Sequence, residues 1–74
     1  MSLHEFLYSI VGVYQPIVIY DYRNDDENGA TKVYEGLNND CPYSNDQNDD
    51  VAKLKVDGVD AFDGVLCIDV GITL

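Results

Sequence analysis

The first eleven residues have the spacing of an amphipathic helix. Apolar side chains recur every three or four residues, which places them along one side of an α-helix while polar side chains take the other side. Ser2 and Glu5 have the Ser-x-x-Glu spacing of a capping box, in which each side chain bonds the other residue's backbone amide. The pattern predicts a helix from Ser2 to Val11 that stops at Gly12. Its predicted apolar stripe consists of Leu3, Phe6, Leu7, Ile10 and Val11.

The next residues have the composition of a β-hairpin. Pro16 precedes a run in which β-branched and aromatic residues dominate, so we predict a first strand over residues 17–22. Residues 23–29 are polar and end in Asn-Gly, a frequent turn pair, and residues 30–37 read as a second, weaker strand. The pattern therefore predicts two strands joined by an acidic turn.

The second half of the chain has the residue pattern of a loop followed by another hairpin. Residues 38–50 consist mainly of Asn, Asp and other turn formers, which predicts a polar loop with room for one helical turn. Alternation over 51–56 and 65–70 predicts strands three and four, with Asp57-Gly58 and Asp63-Gly64 as turn signals between them. The sequence thus predicts an α+β fold, in which one N-terminal helix packs on a four-stranded, mainly antiparallel sheet in the order helix, hairpin, acidic loop, hairpin.

Length and charge narrow the function classes. The chain has 74 residues and a mass of 8.3 kDa, which suffices for one hydrophobic core, so we expect a single domain over 1–74. Fourteen acidic residues against four basic ones give a net charge of -10. Because Lys and Arg hold nucleic acids and anionic membranes, this charge argues against direct binding to either. No apolar run approaches the roughly 20 residues of a membrane-spanning helix.

The N-terminal segment and the cysteines indicate a compartment. Residues 1–13 contain no Lys or Arg and include Glu5, unlike the basic start of a secretion signal. We therefore expect a cytoplasmic protein with Cys41 and Cys67 reduced. The sequence leaves open whether these two thiols lie close enough to pair.

Candidate catalytic groups are few. His4 falls on the polar side of the predicted helix, where we expect a solvated surface histidine. Cys41 and Cys67 lie near carboxylates, which raise the pKa of a thiol and make it a poor nucleophile. The best catalytic alternative is a metal-dependent nuclease that uses Asp21, at the end of the first strand and close to three further acids. Turn solvation explains that acidic cluster better, so we predict that the protein is not an enzyme.

One segment begins like a calcium-binding loop. Asp46, Asn48 and Asp50 have the alternate spacing of the first ligands in such a loop. Val51 then stands where the glycine of the sharp turn belongs, and no acidic residue occupies the position of the bidentate ligand. Zinc lacks ligands, since the chain has one His and two Cys. We therefore predict no dedicated metal site and no cofactor.

The excess of acidic residues carries the leading hypothesis. A net charge of about 2 to 8 suffices to keep a small domain soluble, and this chain exceeds it. Carboxylates can replace phosphates against Lys and Arg, and alternate strand residues are about 6.6 Å apart, similar to the phosphate step of one nucleic-acid strand. The sequence therefore predicts a non-enzymatic binding protein that occupies the basic nucleic-acid-binding surface of a partner. The predicted contacts are Asp25, Asp26, Glu27, Asp40, Asp46, Asp49, Asp50, Asp57, Asp60 and Asp63.

Several short motifs resemble small acidic accessory proteins of phages and other mobile elements of Gram-positive bacteria. They are the capped helix over 2–11, the strand Ile17-Val-Ile-Tyr-Asp21, the step Tyr34-Glu35-Gly36 and the closing strand over 63–66. Some proteins of this kind are anti-CRISPR or anti-restriction inhibitors that imitate DNA. The resemblance implies a phage-type inhibitor in the host cytoplasm, with a basic nucleic-acid-handling host or defence protein as its partner. It supplies no catalytic residue.

A second hypothesis comes from the tyrosines. Tyr20, Tyr22 and Tyr34 fall on predicted strands and are expected to be exposed. Aromatic residues are favoured at the centres of protein interfaces, and small domains gain stability by association. The alternative function is therefore a structural or assembly module that forms a homo-oligomer through its sheet.

Overall fold

The computed structural model of the protein describes residues 1–26 and 29–72, with residues 24–26 as backbone. It confirms the predicted α+β fold: helical segments and a four-stranded sheet follow one another in the predicted order. The elements are helix α1 (Leu3–Ser9), strands β1 (Pro16–Asp26) and β2 (Gly29–Leu37), a short 3-10 helix (Asn38–Asp40), helix α2 (Pro42–Asn45), and strands β3 (Val56–Phe62) and β4 (Val65–Val70).

Helix α1 begins at the predicted capping box. The Ser2 hydroxyl accepts a hydrogen bond from the Glu5 amide at 3.2 Å, and the Glu5 carboxylate accepts one from the Ser2 amide at 3.5 Å. These bonds satisfy amides that lack a partner within the helix. The last helical residue is Ser9, two residues before the predicted end.

The apolar stripe of α1 is buried except near its end. Leu3, Leu7 and Val11 are buried in the core, and Phe6 packs against them half-buried. Ile10 is 59% exposed, so the prediction that it faces the core is wrong. Its φ of -117° departs from helical geometry, and the helical periodicity therefore no longer fixes the direction of its side chain.

The four strands form one mixed sheet in the order β2-β1-β4-β3. The predicted hairpins are both present as antiparallel pairs, β1 with β2 and β3 with β4, and β1 pairs with β4 in parallel at the centre. The central strands contribute the most deeply buried side chains of the sheet, because each has a neighbour on both sides. These are Ile17, Ile19, Ile68 and Val70.

The third strand lies further along the chain than predicted. Residues 51–54 form turns, and β3 begins only at Val56. The predicted turn at Asp57-Gly58 is also wrong, because these residues form a β-bulge within β3.

The alternation of apolar and polar residues over 51–56 arises because this segment packs beneath α1. It does not mark a strand. Ala52 is fully buried and Leu54 is half-buried against the core. Their carbonyls accept hydrogen bonds from the amides of His4 at 3.0 Å and Leu3 at 2.8 Å. The segment thus satisfies the first amides of a helix, which leaves those carbonyls unavailable to a sheet.

The two predicted turns differ in outcome. The Asp63-Gly64 turn is present, with positive φ values of 51° and 78° at its two residues, and β4 has its predicted bounds. The polar turn predicted over 23–29 is shorter, because β1 continues to Asp26 and pairs there with Gly29. Residues 27 and 28 lie outside the described residues.

Candidate interaction surfaces

The sheet has one face covered by helices and one open face. We call them the helix face and the open face. Residues Ile17, Ile19 and Ile68 cluster with Leu3 and Leu7 of α1, which defines the helix face. Side chains between them on β1 and β4 point to the opposite side, because strand residues alternate. The Cα trace extends over 33 × 29 × 17 Å, and its shortest dimension accommodates one sheet and one helical layer.

The strand registers arrange the open face in rows that run across all four strands. One row has an acid at each end and apolar residues between: Glu35, Val18, Cys67 and Asp60. The adjacent row is apolar throughout and consists of Leu37, Pro16, Val65 and Phe62. Phe62 is 73% exposed and Leu37 is 37% exposed. The open face therefore combines a solvent-exposed apolar row with carboxylates beside it.

The acids predicted as contacts between 57 and 63 have different environments. Asp60 is exposed on the open face, and Asp63 is exposed in the turn between β3 and β4. Asp57 is half-buried at the other end of β3, where its Oδ2 accepts a hydrogen bond from the Ile72 amide at 2.7 Å. Asp57 thus fixes the residues after β4, whereas Asp60 and Asp63 present carboxylates to solvent.

The acids of the 38–50 segment divide in the same way. Asp46 Oδ1 accepts a hydrogen bond from the Asn48 amide at 2.9 Å, and Asp49 Oδ1 accepts one from the Val51 amide at 2.8 Å. Such bonds from a residue's side chain to the amide two positions on stabilise local turns. The remaining predicted contacts of the segment, Asp40 and Asp50, are exposed.

Asp21 is an ion-pair partner of Arg23. Arg23 Nε donates to both carboxylate oxygens of Asp21 at 3.0 and 3.2 Å, and Nη2 donates to Oδ2 at 2.8 Å. The Arg23 amide donates to Asp21 Oδ1 at 2.9 Å. Burial by itself raises the pKa of Asp21, but the hydrogen bonds and charge of Arg23 outweigh it and lower that pKa below its ordinary value. Asp21 as a whole is only 6% exposed. It is therefore engaged in a structural contact, and the nuclease that would use it stays a prediction.

Two other acidic positions lie at the end of the β1–β2 hairpin. Asp25 and Asp26 belong to the last residues of β1, and Glu27 lies outside the described residues. Among the side chains that the structure describes, those of residues 1–23 and 29–72, no three of His, Cys, Asp or Glu are grouped as metal ligands. The described sequence-predicted contacts therefore occupy three separate places: the end of β1, the 38–50 segment on the helix face, and β3 with its turn.

His4 is held between the two helices. Its Nδ1 lies 3.0 Å from the carbonyl oxygen of Tyr43, and its ring stacks on Tyr8 with centroids 5.6 Å apart. Because a carbonyl only accepts, Nδ1 is the protonated nitrogen in this contact. The expectation of a freely solvated histidine is therefore wrong: His4 is half-buried and ties α1 to α2.

A groove lies beside this contact, between α1 and the 38–45 segment. It has a volume of about 470 Å³ and is lined by the apolar side chains of Leu7 and Val13, the ring of Tyr8, and three asparagines. The asparagines are Asn38, Asn39 and Asn45.

Asn38 is a structural residue that sequence reasoning missed. It is 2% exposed, and its Nδ2 donates to the carbonyls of Leu7 at 2.9 Å, Val11 at 3.2 Å and Gly12 at 3.4 Å. These carbonyls lie at and beyond the end of α1, where backbone acceptors need partners from outside the helix. Nothing in the amino-acid pattern distinguishes Asn38 from the other asparagines of its segment.

The two thiols are free and differ in environment. Cys41 is fully buried in the core, and burial raises its pKa despite the backbone amides that hydrogen-bond it. Cys67 is half-buried on the open face. Cys41 was expected in a polar acidic loop, and its burial shows that this loop packs against the sheet.

The three tyrosines do not share one surface. Tyr20 and Tyr22 alternate toward the open face, whereas Tyr34 pairs with Ile19 and packs half-buried against the helix-face core. The Tyr34 hydroxyl donates to the Leu37 carbonyl at 2.6 Å. Tyr20 and Tyr22 are themselves half-buried, so the prediction that all three tyrosines are exposed is wrong. The proposed oligomer interface is also wrong in placing Tyr34 with the other two, and oligomerisation itself stays a prediction.

Comparisons with known proteins identify no relative of this chain. We compared the chain with protein-family models, curated proteins and solved structures, and none of them matches it. The resemblance to phage accessory proteins therefore stays a prediction that rests on short motifs. Among the described residues, no helix has the length and apolar character needed to cross a membrane.

Proposed function

We propose that the protein is an acidic, non-enzymatic binding protein that occupies the basic nucleic-acid-binding surface of a protein partner. The observation that carries this proposal is the placement of its charges. The basic side chains of Arg23 and Lys32 are paired with Asp21 and Glu35. Exposed carboxylates on β3 and its turn extend outward from the sheet.

The open face offers carboxylates at a useful spacing. Asp60 lies opposite Cys67, two residues from Asp69 on the same face. Diagonal neighbours of this kind are roughly 7–8 Å apart, close to the separation of successive phosphates in a nucleic-acid strand. Such a pair can engage two Lys or Arg side chains that otherwise hold neighbouring phosphates. This spacing supports the imitation of DNA as the mode of binding.

The partner is, in our proposal, a host or defence protein that handles nucleic acid in the cytoplasm. Anti-CRISPR and anti-restriction inhibitors act against proteins of this class, and the resemblance of several short motifs to phage accessory proteins supports the assignment. Occupancy of the basic surface is sufficient for inhibition, so no chemical step is required.

A competition experiment tests the proposal. The protein is used to capture its partner from host lysate, and the complex is then challenged with duplex DNA. We expect DNA to displace the protein, because both need the same Lys and Arg side chains. The complex is also expected to weaken as salt rises from 0.1 to 1 M, since the Debye length falls from about 10 to about 3 Å. A ternary complex with DNA, or an affinity independent of salt, would contradict the proposal.

A homo-oligomer formed through the open face is the second candidate. The exposed row that contains Phe62 and Leu37 favours it, because contiguous apolar surface often marks an interface. Light scattering of the purified protein tests it. A dimer that reverts to monomer in Phe62→Ser would support this candidate, whereas a monomer at high concentration would remove it.

A further inference from the structure

Strand β3 lies at one end of the sheet order, with β4 on its inner side. We call its other side the outer edge. Its first residues already have a partner there: the Val56 amide donates to the Met1 carbonyl at 3.1 Å, and Ser2 forms an antiparallel bridge with Lys55. The outer edge therefore accepts an antiparallel segment. Within the described part of the chain, no strand continues this pairing along residues 58–62.

The turn after β3 identifies the backbone groups that face outward. Positive φ at both Asp63 and Gly64 is the signature of a two-residue type I′ turn. Residues that flank such a turn exchange both of their hydrogen bonds, and paired and unpaired residues then alternate along the strand. Phe62 and Asp60 therefore bond to β4. Val59 and Ala61 direct their amides and carbonyls to the outer edge.

The side chains along this edge specify a chemistry. Val59 is 41% exposed and Ala61 is exposed, both on the helix face opposite Ile68 and Leu66. Asp60 is exposed on the open face. In a strand added to this edge, the residues opposite Val59 and Ala61 lie on the helix face and are best apolar. The residue between them lies on the open face, opposite Asp60. A Lys or Arg at the latter position meets a carboxylate.

The opposite edge of the sheet, formed by β2, is better protected against pairing with a further strand. Strand β2 is bulged where Val33 and Tyr34 oppose Ile19, and it carries Lys32. Bulges and lysines are the usual means by which edge strands avoid further pairing. Strand β3 has its own bulge at Asp57-Gly58, but the residues after it, 59–62, have neither a bulge nor a lysine, and they contain no proline.

We infer that the outer edge of β3, from Val59 to Phe62, binds an extended segment of the partner with alternating basic and apolar residues, by antiparallel strand addition. The partner is basic and not a second copy of this chain, because two copies would bring Asp60 carboxylates together on molecules of net charge -10. The inference rests on the proposed function and locates its contact surface. It assigns affinity to main-chain hydrogen bonds as well as to charge.

Synthetic peptides separate those two contributions. The parent peptide is acetyl-Lys-Val-Lys-Val-Lys-Val-Lys-amide, whose valines can exchange hydrogen bonds with Val59 and Ala61 while a lysine faces Asp60. One variant carries N-methyl groups on the three valine amides, and the matched control carries them on the amides of the last three lysines, which point away from β3. The three peptides have the same charge. Calorimetric titration of the intact protein measures their affinities.

We expect valine methylation to weaken binding by about tenfold or more, because two main-chain hydrogen bonds are lost, while lysine methylation leaves the affinity unchanged. Equal affinities of all three peptides, or no binding of the parent peptide, would overturn the strand-addition inference. Neither result bears on whether DNA displaces the captured partner, so the two proposals fail independently.

Amide exchange of the unmodified protein provides a second readout. We expect the parent peptide to slow exchange at Val59 and Ala61 and to leave the Asp60 amide, which is bonded to β4, unchanged. Ala61→Pro removes an outward amide without removing a bond to β4 and should abolish this protection, whereas Ala61→Ser should retain it. Protection of both amides without peptide, accompanied by a dimer in light scattering, would assign the edge to a second copy and overturn the inference.

Discussion

The 38–50 segment and the β3–β4 hairpin are both rich in acidic residues, and each has acids that bond the backbone and acids that face solvent, but the two regions differ in the structure that carries those acids. In the 38–50 segment, Asp46 and Asp49 bond backbone amides, and the buried Asn38 holds the end of α1. In the hairpin, Asp60 and Asp63 are exposed on a strand and its turn. A carboxylate that satisfies the backbone stabilises the fold, whereas one on a regular strand is available to a partner. Acidic composition alone does not separate these two uses.

The largest expected effect in this comparison comes from Asn38. In Asn38→Asp, an oxygen replaces the nitrogen that donates to three carbonyls, and a buried charge is added. We expect a loss of about 3 kcal/mol in the free energy of unfolding, measured by urea titration followed by circular dichroism. The matched control is Asn39→Asp, an exposed neighbour expected to change stability by less than about 0.5 kcal/mol. Equal losses in the two variants would show that the segment is not anchored through Asn38.

Asp21→Asn should have the next largest effect and should depend on pH. The variant loses the ion pair with Arg23. Because the Arg23 side chain is 38% exposed and solvent screens the pair, we expect the free energy of unfolding to fall by only about 1–2 kcal/mol at pH 7. The pKa of Asp21 in the folded protein is lowered from the ordinary value of 3.8. Its carboxylate therefore stabilises the fold above the pKa of the unfolded state, and this contribution is lost as pH falls through the folded pKa.

The measurement is a series of urea titrations of both proteins from pH 7 downward. The stability difference between wild type and Asp21→Asn should shrink below about pH 4, where Asp21 of the unfolded chain begins to bind a proton. Asp40→Asn, an exposed change with the same charge difference, serves as the control and should show no such trend. A difference that stays constant with pH would mean that the Asp21–Arg23 contact contributes little as an ion pair.

Two double variants, one in each acidic region, test whether the position of the carboxylates matters. Each removes the same number of charges. Asp60→Asn with Asp63→Asn, and Asp40→Asn with Asp46→Asn, each change the net charge from -10 to -8. Asparagine tolerates the positive φ at Asp63 and keeps the oxygen that Asp46 uses in its turn. We expect the hairpin variant to bind the captured partner about tenfold more weakly and the loop variant to bind nearly as wild type. Equal losses would mean that net charge, and not position, determines binding.

Several local features of the fold were predictable from the sequence, although the Asp57-Gly58 turn was not, and the non-local features escaped prediction. The capping box of Ser2 and Glu5 and the Asp63-Gly64 turn depend on neighbours within a few residues, and both are confirmed. The alternation over 51–56 misled because burial beneath α1 produces the same pattern as burial on a sheet. The pairing of β1 with β4 joins residues about fifty positions apart, and no local pattern specifies it.

The candidate site shows the same limit at the level of single residues. Exposed Asp60 and half-buried Asp57 are indistinguishable in the sequence. Each follows a valine and precedes a small residue, and both lie in one short acidic run. They differ because Asp57 lies beside the Ile72 amide, a contact between residues 15 positions apart. Which carboxylates face a partner is therefore decided by the folded chain and not by composition.

The smallest expected effect tests whether Asp49 acts through its hydrogen bond or through its charge. Asp49→Ala removes the acceptor for the Val51 amide, and we expect it to lower the free energy of unfolding by about 1 kcal/mol. Asp49→Asn removes the same charge but keeps an oxygen acceptor, so it should remain within about 0.5 kcal/mol of wild type. Both variants are measured by thermal unfolding under the same conditions. If the two lose stability equally, the charge near Arg23 matters more than the turn, and the 38–50 segment would resemble the hairpin in presenting charge and not in supporting the backbone.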